Sequence, residues 1–151
     1  MDGASPNFIY EPHPEHPGWH SWRLRDDTLF NAQVMGEMLV RTESGKCRLR
    51  MFPARKHQNL LGMIHGAVTL GLIDISMFAA LRTLSSGDAG GSVTLELSTQ
   101  FIGAGQPDRP LDAVVEILRE TRRLLFVRGE VVQGDNLVAG FTGIVRKASE
   151  K

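Results

Sequence analysis

The chain has 151 residues, 42% of them hydrophobic, and its 17 Lys+Arg balance 17 Asp+Glu for a net charge of zero. That is room for one ordinary domain with a real core, and it leaves no basic field to hold nucleic acid or an anionic membrane by charge alone. A single cysteine, Cys47, excludes an internal disulfide framework and fits a reducing compartment.

Residues 1–26 form the first unit in chain order. They hold four prolines among aromatics and histidines, which opposes regular helix or central strand. This reads as an irregular arm that lays its aromatics on the domain formed by residues 27–151. Its first residues carry no basic-then-apolar leader, and no unbroken apolar run in the chain reaches the ~18 residues of a bilayer span. A soluble cytoplasmic protein without a membrane partner is therefore expected. His13, His16 and His20 share no helical face and have no cysteine beside them, so they read as surface histidines and no metal site is expected.

A short helix is expected over Asp27–Met35, capped by Asp26 or Asp27 and stopped by Gly36. Glu37–Thr42 and Cys47–Phe52 flank the turn residues Glu43-Ser44-Gly45-Lys46 and read as a hairpin. After a loop over Pro53–Leu61, a long apolar helix runs from about Met63 to Thr83 and stops at a Ser/Gly-rich stretch. Four strands follow. In the first, Val93, Leu95, Leu97 and Phe101 alternate with Thr94, Glu96, Ser98 and Gln100. Leu111–Thr121, Leu124–Val132 and Leu137–Arg146 complete the set, with turns at Arg122-Arg123 and Gly134-Asp135-Asn136. A helix apolar on nearly all sides must be enclosed, so a curved antiparallel sheet should wrap it, giving an α+β architecture.

One residue in that helix stands apart. From Ala67 to Leu81 the only charge is Asp74. A buried carboxylate is costly unless bonded, so it is either tied into the core or kept for chemistry. Upstream lies Asn59-Leu60-Leu61-Gly62-Met63-Ile64-His65-Gly66. Gly66 at a helix start offers an unshielded N–H at the positive dipole end, suited to polarising a carbonyl or holding an oxyanion. Asp74 can act as nucleophile or as the base for water, Asn59 can hold that water or orient the carboxylate, and His65 can donate to the carbonyl or brace the loop. Asp74 lies eight residues past Gly66, about 12 Å along a helix. One carbonyl cannot reach both in one chain, so the site needs Asn59, His65 and Gly66 from one subunit and Asp74 from another.

This set resembles the signature of hotdog-fold acyl-CoA thioesterases of the PaaI-like type, which act on phenylacetyl-CoA or 4-hydroxybenzoyl-CoA. In that family an Asn is followed six residues later by His-Gly-Gly and then by a helical Asp. Ala67 replaces the second glycine, a small change at a helix start. The stretch from Ser92 to Gly103 is similar to the family's next strand, and the resemblance covers roughly residues 27–147. It implies a hotdog fold, hydrolysis of an aryl- or medium-chain acyl-CoA, and a homodimer with two sites, often paired into a tetramer. It also aligns Thr94, with Ser92 as a rival, to a hydroxyl that assists the nucleophile or water.

An acyl pocket is expected between the helix and the partner, lined by Leu61, Met63, Ile64, Met77 and Phe78. Arg122 and Arg123, and equally Lys56 and His57, are candidates for the CoA phosphates. Absence of a GxGxxG, a P-loop or a metal cluster argues against a redox cofactor or catalytic metal. Two rivals remain. Hotdog enoyl-CoA hydratases share the His-Gly but place their base five residues earlier, where this chain has Leu60. A non-catalytic acyl-CoA-binding domain is the other.

Overall fold

A computed structural model describes residues 6–149. The first five residues, on which the leader reading falls, and the last two of the domain span lie outside it. Three short strands occupy the arm, β1 (Phe8–Ile9), β2 (His20–Ser21) and β3 (Arg23–Leu24). Then come β4 (Met38–Glu43), β5 (Lys46–Met51), helix α1 (Gly66–Leu84), β6 (Val93–Phe101), β7 (Leu111–Glu120), β8 (Leu124–Gln133) and β9 (Asn136–Arg146). β1 pairs with β3 alone, while the other seven form one sheet in the order β2-β4-β5-β7-β8-β9-β6. All its pairings are antiparallel. This is the hotdog arrangement, one helix held in a curved sheet.

Turn chemistry sets the registers. Ser44 (φ 51°) and Gly45 (φ 74°) both sit in the left-handed region, so the β4–β5 connection is a primed hairpin turn and pairs Glu43 with Lys46. Inward strand positions then alternate as the pleat requires: Cys47, Leu49 and Met51 on β5 and Leu111, Ala113 and Val115 on β7 are all fully buried. They meet Leu72, Ile73, Met77, Ala79, Ala80 and Leu81 of α1, also fully buried. Each such Leu or Ile contributes about 1.5–3 kcal/mol, and the two alanines let the sheet approach the helix axis. By length and mean hydropathy (1.5) α1 is apolar enough to cross a bilayer, which counting unbroken apolar residues had excluded. Here that apolar surface faces the sheet, with more than half of it buried.

The arm is more regular than its prolines suggest. β2 pairs with β4, making the expected six-stranded sheet seven-stranded. Trp22 is 1% exposed and stacks near Phe8 (centroids 5.0 Å). Trp19 lies under the guanidinium groups of Arg41 (4.3 Å) and Arg50 (4.7 Å). On the same outer face, buried Asp112 accepts from Arg48 (2.8 Å) and, through both oxygens, from Arg50 (2.8 Å).

The helix expected over Asp27–Met35 is shorter. Asp26 Oδ1 instead accepts from the Thr28 N–H in a local turn, and only Asn31–Met35 is helical, as a π-turn closed by Gly36 (φ 76°). It docks where Gly71 leaves a gap on α1, since a Cβ there would lie 3.3 Å from Met35 Sδ and 3.6 Å from the Phe30 ring.

Candidate active site

The loop before α1 is built around Asn59. Its Oδ1 accepts from the Leu61 N–H (2.9 Å) and the Met63 N–H (3.1 Å), and Gly62 turns the chain at φ +75°. A bridge between Gln58 and Ile64 closes the loop and leaves Leu60 and Leu61 exposed at its tip. So the Asn59 carbonyl braces the loop, while its Nδ2 makes no hydrogen bond among the described residues.

His65 caps the helix. Its Nδ1 accepts from the Ala67 N–H (2.9 Å), which puts the proton of a neutral ring on Nε2, and the side chain is exposed. Gly66 follows as the first helical residue, and among the described residues its N–H has no acceptor. An unclaimed donor at the positive end of a 19-residue helix is an anion-stabilising element.

Asp74 sits two turns further along, half-buried. The Thr94 hydroxyl donates to its Oδ1 at 2.6 Å, leaving Oδ2 unclaimed among the described residues. Ser92 is otherwise engaged, donating to the Asp88 carbonyl (2.6 Å) and accepting from the Ala148 N–H (3.1 Å). The fold therefore forms two half-sites in one chain. Asn59, His65 and Gly66 stand at the helix start, and Asp74 with Thr94 stands eight residues on, about 12 Å away along the axis.

The expected acyl-pocket residues divide. Leu61 is exposed, while Met63 and Phe78 are half-buried, Phe78 against the core. Met77 is a correction: it is fully buried, with its sulfur where a Cβ on Gly143 would stand, and cannot touch a ligand without unpacking the core. Ile64 is a second correction, 6% exposed and seated against Gly105. His57 and Lys56 turn out to be braces. Buried His57 accepts from the Ala54 N–H and bonds the Val34 carbonyl, and Lys56 donates to the Gln33 carbonyl (2.8 Å).

Arg122 and Arg123 occupy the β7–β8 turn with Arg146 beside them, around a shallow hollow of about 470 Å³. A cavity of about 590 Å³ lies elsewhere, between the arm and the π-turn, walled by Glu11, Arg23, Asp27, Asn31 and Glu37. None of the candidate catalytic residues lines it. His13, His16 and Glu37 approach within 4.8 Å, with both histidines half-buried rather than at the open surface. They suit a metal poorly. His13 Nδ1 accepts from the Glu15 N–H, so the Nε2 facing Glu37 (2.9 Å) is the protonated nitrogen. Cys47 is buried and its thiol is pushed up to about 11 by that burial, which makes it a core residue and no nucleophile.

Two residues near Gly66 were not visible in the sequence. Phe101 sets its ring against the Gly66 backbone, and Leu70, one turn past Gly66 on the same helix face, is 37% exposed. Strand alternation marks Phe101 only as core-facing, and nothing local ties it to a helix start 35 residues earlier.

Comparison with known proteins agrees with this fold. The family model of the Thioesterase superfamily matches residues 61–139. A Sulfurisphaera tokodaii protein with an inferred esterase assignment is 30% identical over 104 residues, 69% of this chain and 75% of that protein. The conserved protein PA5202 from Pseudomonas aeruginosa superposes with TM-score 0.68 at 30% identity, covering 82% of this chain and 98% of that one. A mutant of the phenylacetic acid degradation protein PaaI from Thermus thermophilus gives TM-score 0.62 at 25% identity, covering 76% and 96%. The E. coli PaaI protein, at 19% identity and TM-score 0.68 over 80% and 85%, shares the fold. The chain belongs to the thioesterase superfamily, as a hotdog-fold thioester hydrolase of the PaaI-like type.

Proposed function

We propose that the chain hydrolyses aryl- or medium-chain acyl-CoA thioesters at sites shared between two copies of itself. One observation carries this. The two half-sites are tied to opposite ends of the edge strand β6, Asp74 through Thr94 near its start and Gly66 through Phe101 at its end. Among the described residues β6 has no partner on its outer side, and it exposes Val93 (42%), Leu95 (53%) and Phe101 (56%). Such an edge invites pairing. Two β6 strands paired antiparallel about their middle residue, Leu97, would set the Thr94 end of one against the Phe101 end of the other. That swap supports a site in which Gly66 of one copy faces the partner's Asp74.

The chemistry then follows. The thioester carbonyl accepts from the Gly66 N–H at the helix end, with the His65 Nε2–H as a second donor within the same loop. Oδ2 of the partner's Asp74 takes a proton from water as the water oxygen bonds the carbonyl carbon. When the C–S bond breaks, that proton passes to the leaving sulfur, giving the acid and free CoA thiol. Thr94 holds the carboxylate in the orientation for this transfer. Arg122, Arg123 and Arg146 supply the charge to hold the CoA phosphates. Enoyl hydration needs a base where the chain has the exposed aliphatic Leu60.

The test is CoA release from benzoyl-CoA and octanoyl-CoA, with crotonyl-CoA hydration measured alongside. Hydrolysis without hydration is expected, and hydration or inertness would overturn the reading. A single turnover in ¹⁸O water should label only the product acid; label entering Asp74 would mean direct attack by the carboxylate.

A further inference from the structure

Phe101 ends β6 opposite Ala139, which is fully buried, so its side chain projects on the helix side of the sheet. It is nonetheless 56% exposed. The ring leans on the helix start, where a Cβ on Gly66 would stand 3.4 Å from its Cε1 and 3.6 Å from its Cζ. A carbonyl accepting from the Gly66 N–H thus lies beside an exposed aromatic ring.

The contact is rigidly held. After Phe101, the N–H groups of Ile102 and Gly103 both donate to the Val138 carbonyl (2.9 and 3.1 Å), and Asn136 Nδ2 donates to the Ala104 carbonyl (3.0 Å). The Ile64 N–H then donates to the Gly105 carbonyl at 2.9 Å, joining this segment to the residue just before His65 and Gly66. The two pack closely, since a Cβ on Gly105 would be 3.0 Å from Ile64 Cβ and would push that side chain aside. Ring and N–H therefore belong to one braced unit.

Which half of the substrate meets the ring is set by the two faces of the sheet. Arg146 pairs with Val93 and Leu124 next to the buried Val145, so it projects on the outer face, away from α1. The phosphates are drawn there. On the helix side, the exposed side chains near Gly66 are the polar His65 ring and two apolar groups, Phe101 and Leu70.

We propose that Phe101 is a specificity-determining residue, its exposed ring being the wall on which the acyl group lies, so that flat aromatic acyl groups are favoured over straight chains. This rests on the acyl-CoA reading above. An aromatic pair of this kind is worth roughly a three- to tenfold preference.

The experiment compares kcat/KM for benzoyl-CoA and octanoyl-CoA in the wild type, Phe101→Leu and Phe101→Tyr, with binding of both esters measured by calorimetry. Phe101→Leu should lower the benzoyl-to-octanoyl ratio by about three- to tenfold, and Phe101→Tyr, which keeps the ring, should preserve it. A ratio unchanged within twofold, or equal losses for both esters, would overturn the proposal. If Phe101→Leu fails to fold, Phe101→Met carries the same comparison. If neither ester is hydrolysed yet both bind with a Phe101-dependent preference, the hydrolase reading falls and this one stands. Binding of neither ester sinks both.

Discussion

Thr94 and Asp74, on different elements and twenty positions apart, meet through one hydrogen bond of 2.6 Å in which the hydroxyl donates to Oδ1. A donor on one carboxylate oxygen fixes the rotation of the whole group and aims the other oxygen. In the proposed mechanism Thr94 is therefore a positioning residue. Thr94→Val should lower kcat about tenfold with little change in KM, Thr94→Ser should restore most of it, and Asp74→Asn should cost about 100-fold or more. An equal loss in the Ser variant would show that the methyl packing matters and the hydroxyl does not.

Separation of the half-sites leads to a complementation test. Asp74→Asn and Asn59→Ala proteins should each be nearly inactive, while their mixture regains activity after subunit exchange. Equal amounts make about half the dimers mixed, each with one working site, so roughly a quarter of wild-type activity should return. Sizing of each variant checks that dimerisation survives. Activity at the mutant baseline after proven exchange would refute the shared site.

Gly66 offers a way to separate stability from turnover. Its backbone is not in the left-handed region, and an added Cβ would meet only the Phe101 ring at 3.4 Å. Gly66→Ala should leave the melting temperature unchanged or slightly higher, because alanine favours helix by about 0.5–1 kcal/mol. The same methyl crowds the donor N–H, and kcat/KM should fall at least about tenfold. A stable, fully active Gly66→Ala protein would remove this N–H from the mechanism.

Asp112 should behave oppositely, as a stability residue remote from the chemistry. It is 4% exposed and bridges Arg48 and Arg50, which keep part of their surface in water. Asp112→Ala leaves both guanidinium groups without their shared acceptor and should cost about 2–3 kcal/mol in urea unfolding. KM for acyl-CoA should stay near the wild-type value, and a large rise in KM would tie this ion cluster to the substrate.

Legibility in the sequence followed the range of the interactions. Ser44-Gly45 and Gly134-Asp135 are local turn signals, and the strands beside them end within a residue or two of expectation. Asp74 was visible because a charge among apolar helix residues demands a partner, although the choice of Thr94 over Ser92 needed the structure. Local competition misled elsewhere: the Asp26 side chain closes its own turn with Thr28 instead of capping a helix. Met77 and Phe78 could not be separated by type, since one residue of rotation decides which enters the core. Trp19 and β2 were obscured by the prolines around them, which do not prevent a two-residue edge strand.

The two margins of the main sheet are unlike. One is β6, nine residues long and bare, while the other is β2, two residues long and hemmed by Pro12, Pro14 and Pro17. Proline offers no N–H for a further strand to bond, so the arm acts as a stopper. In the proposed dimer joined through β6, both outer margins of the merged sheet would be β2. Each copy thus carries one connector and one terminator, and such parts build a closed pair where two bare margins would build a fibre.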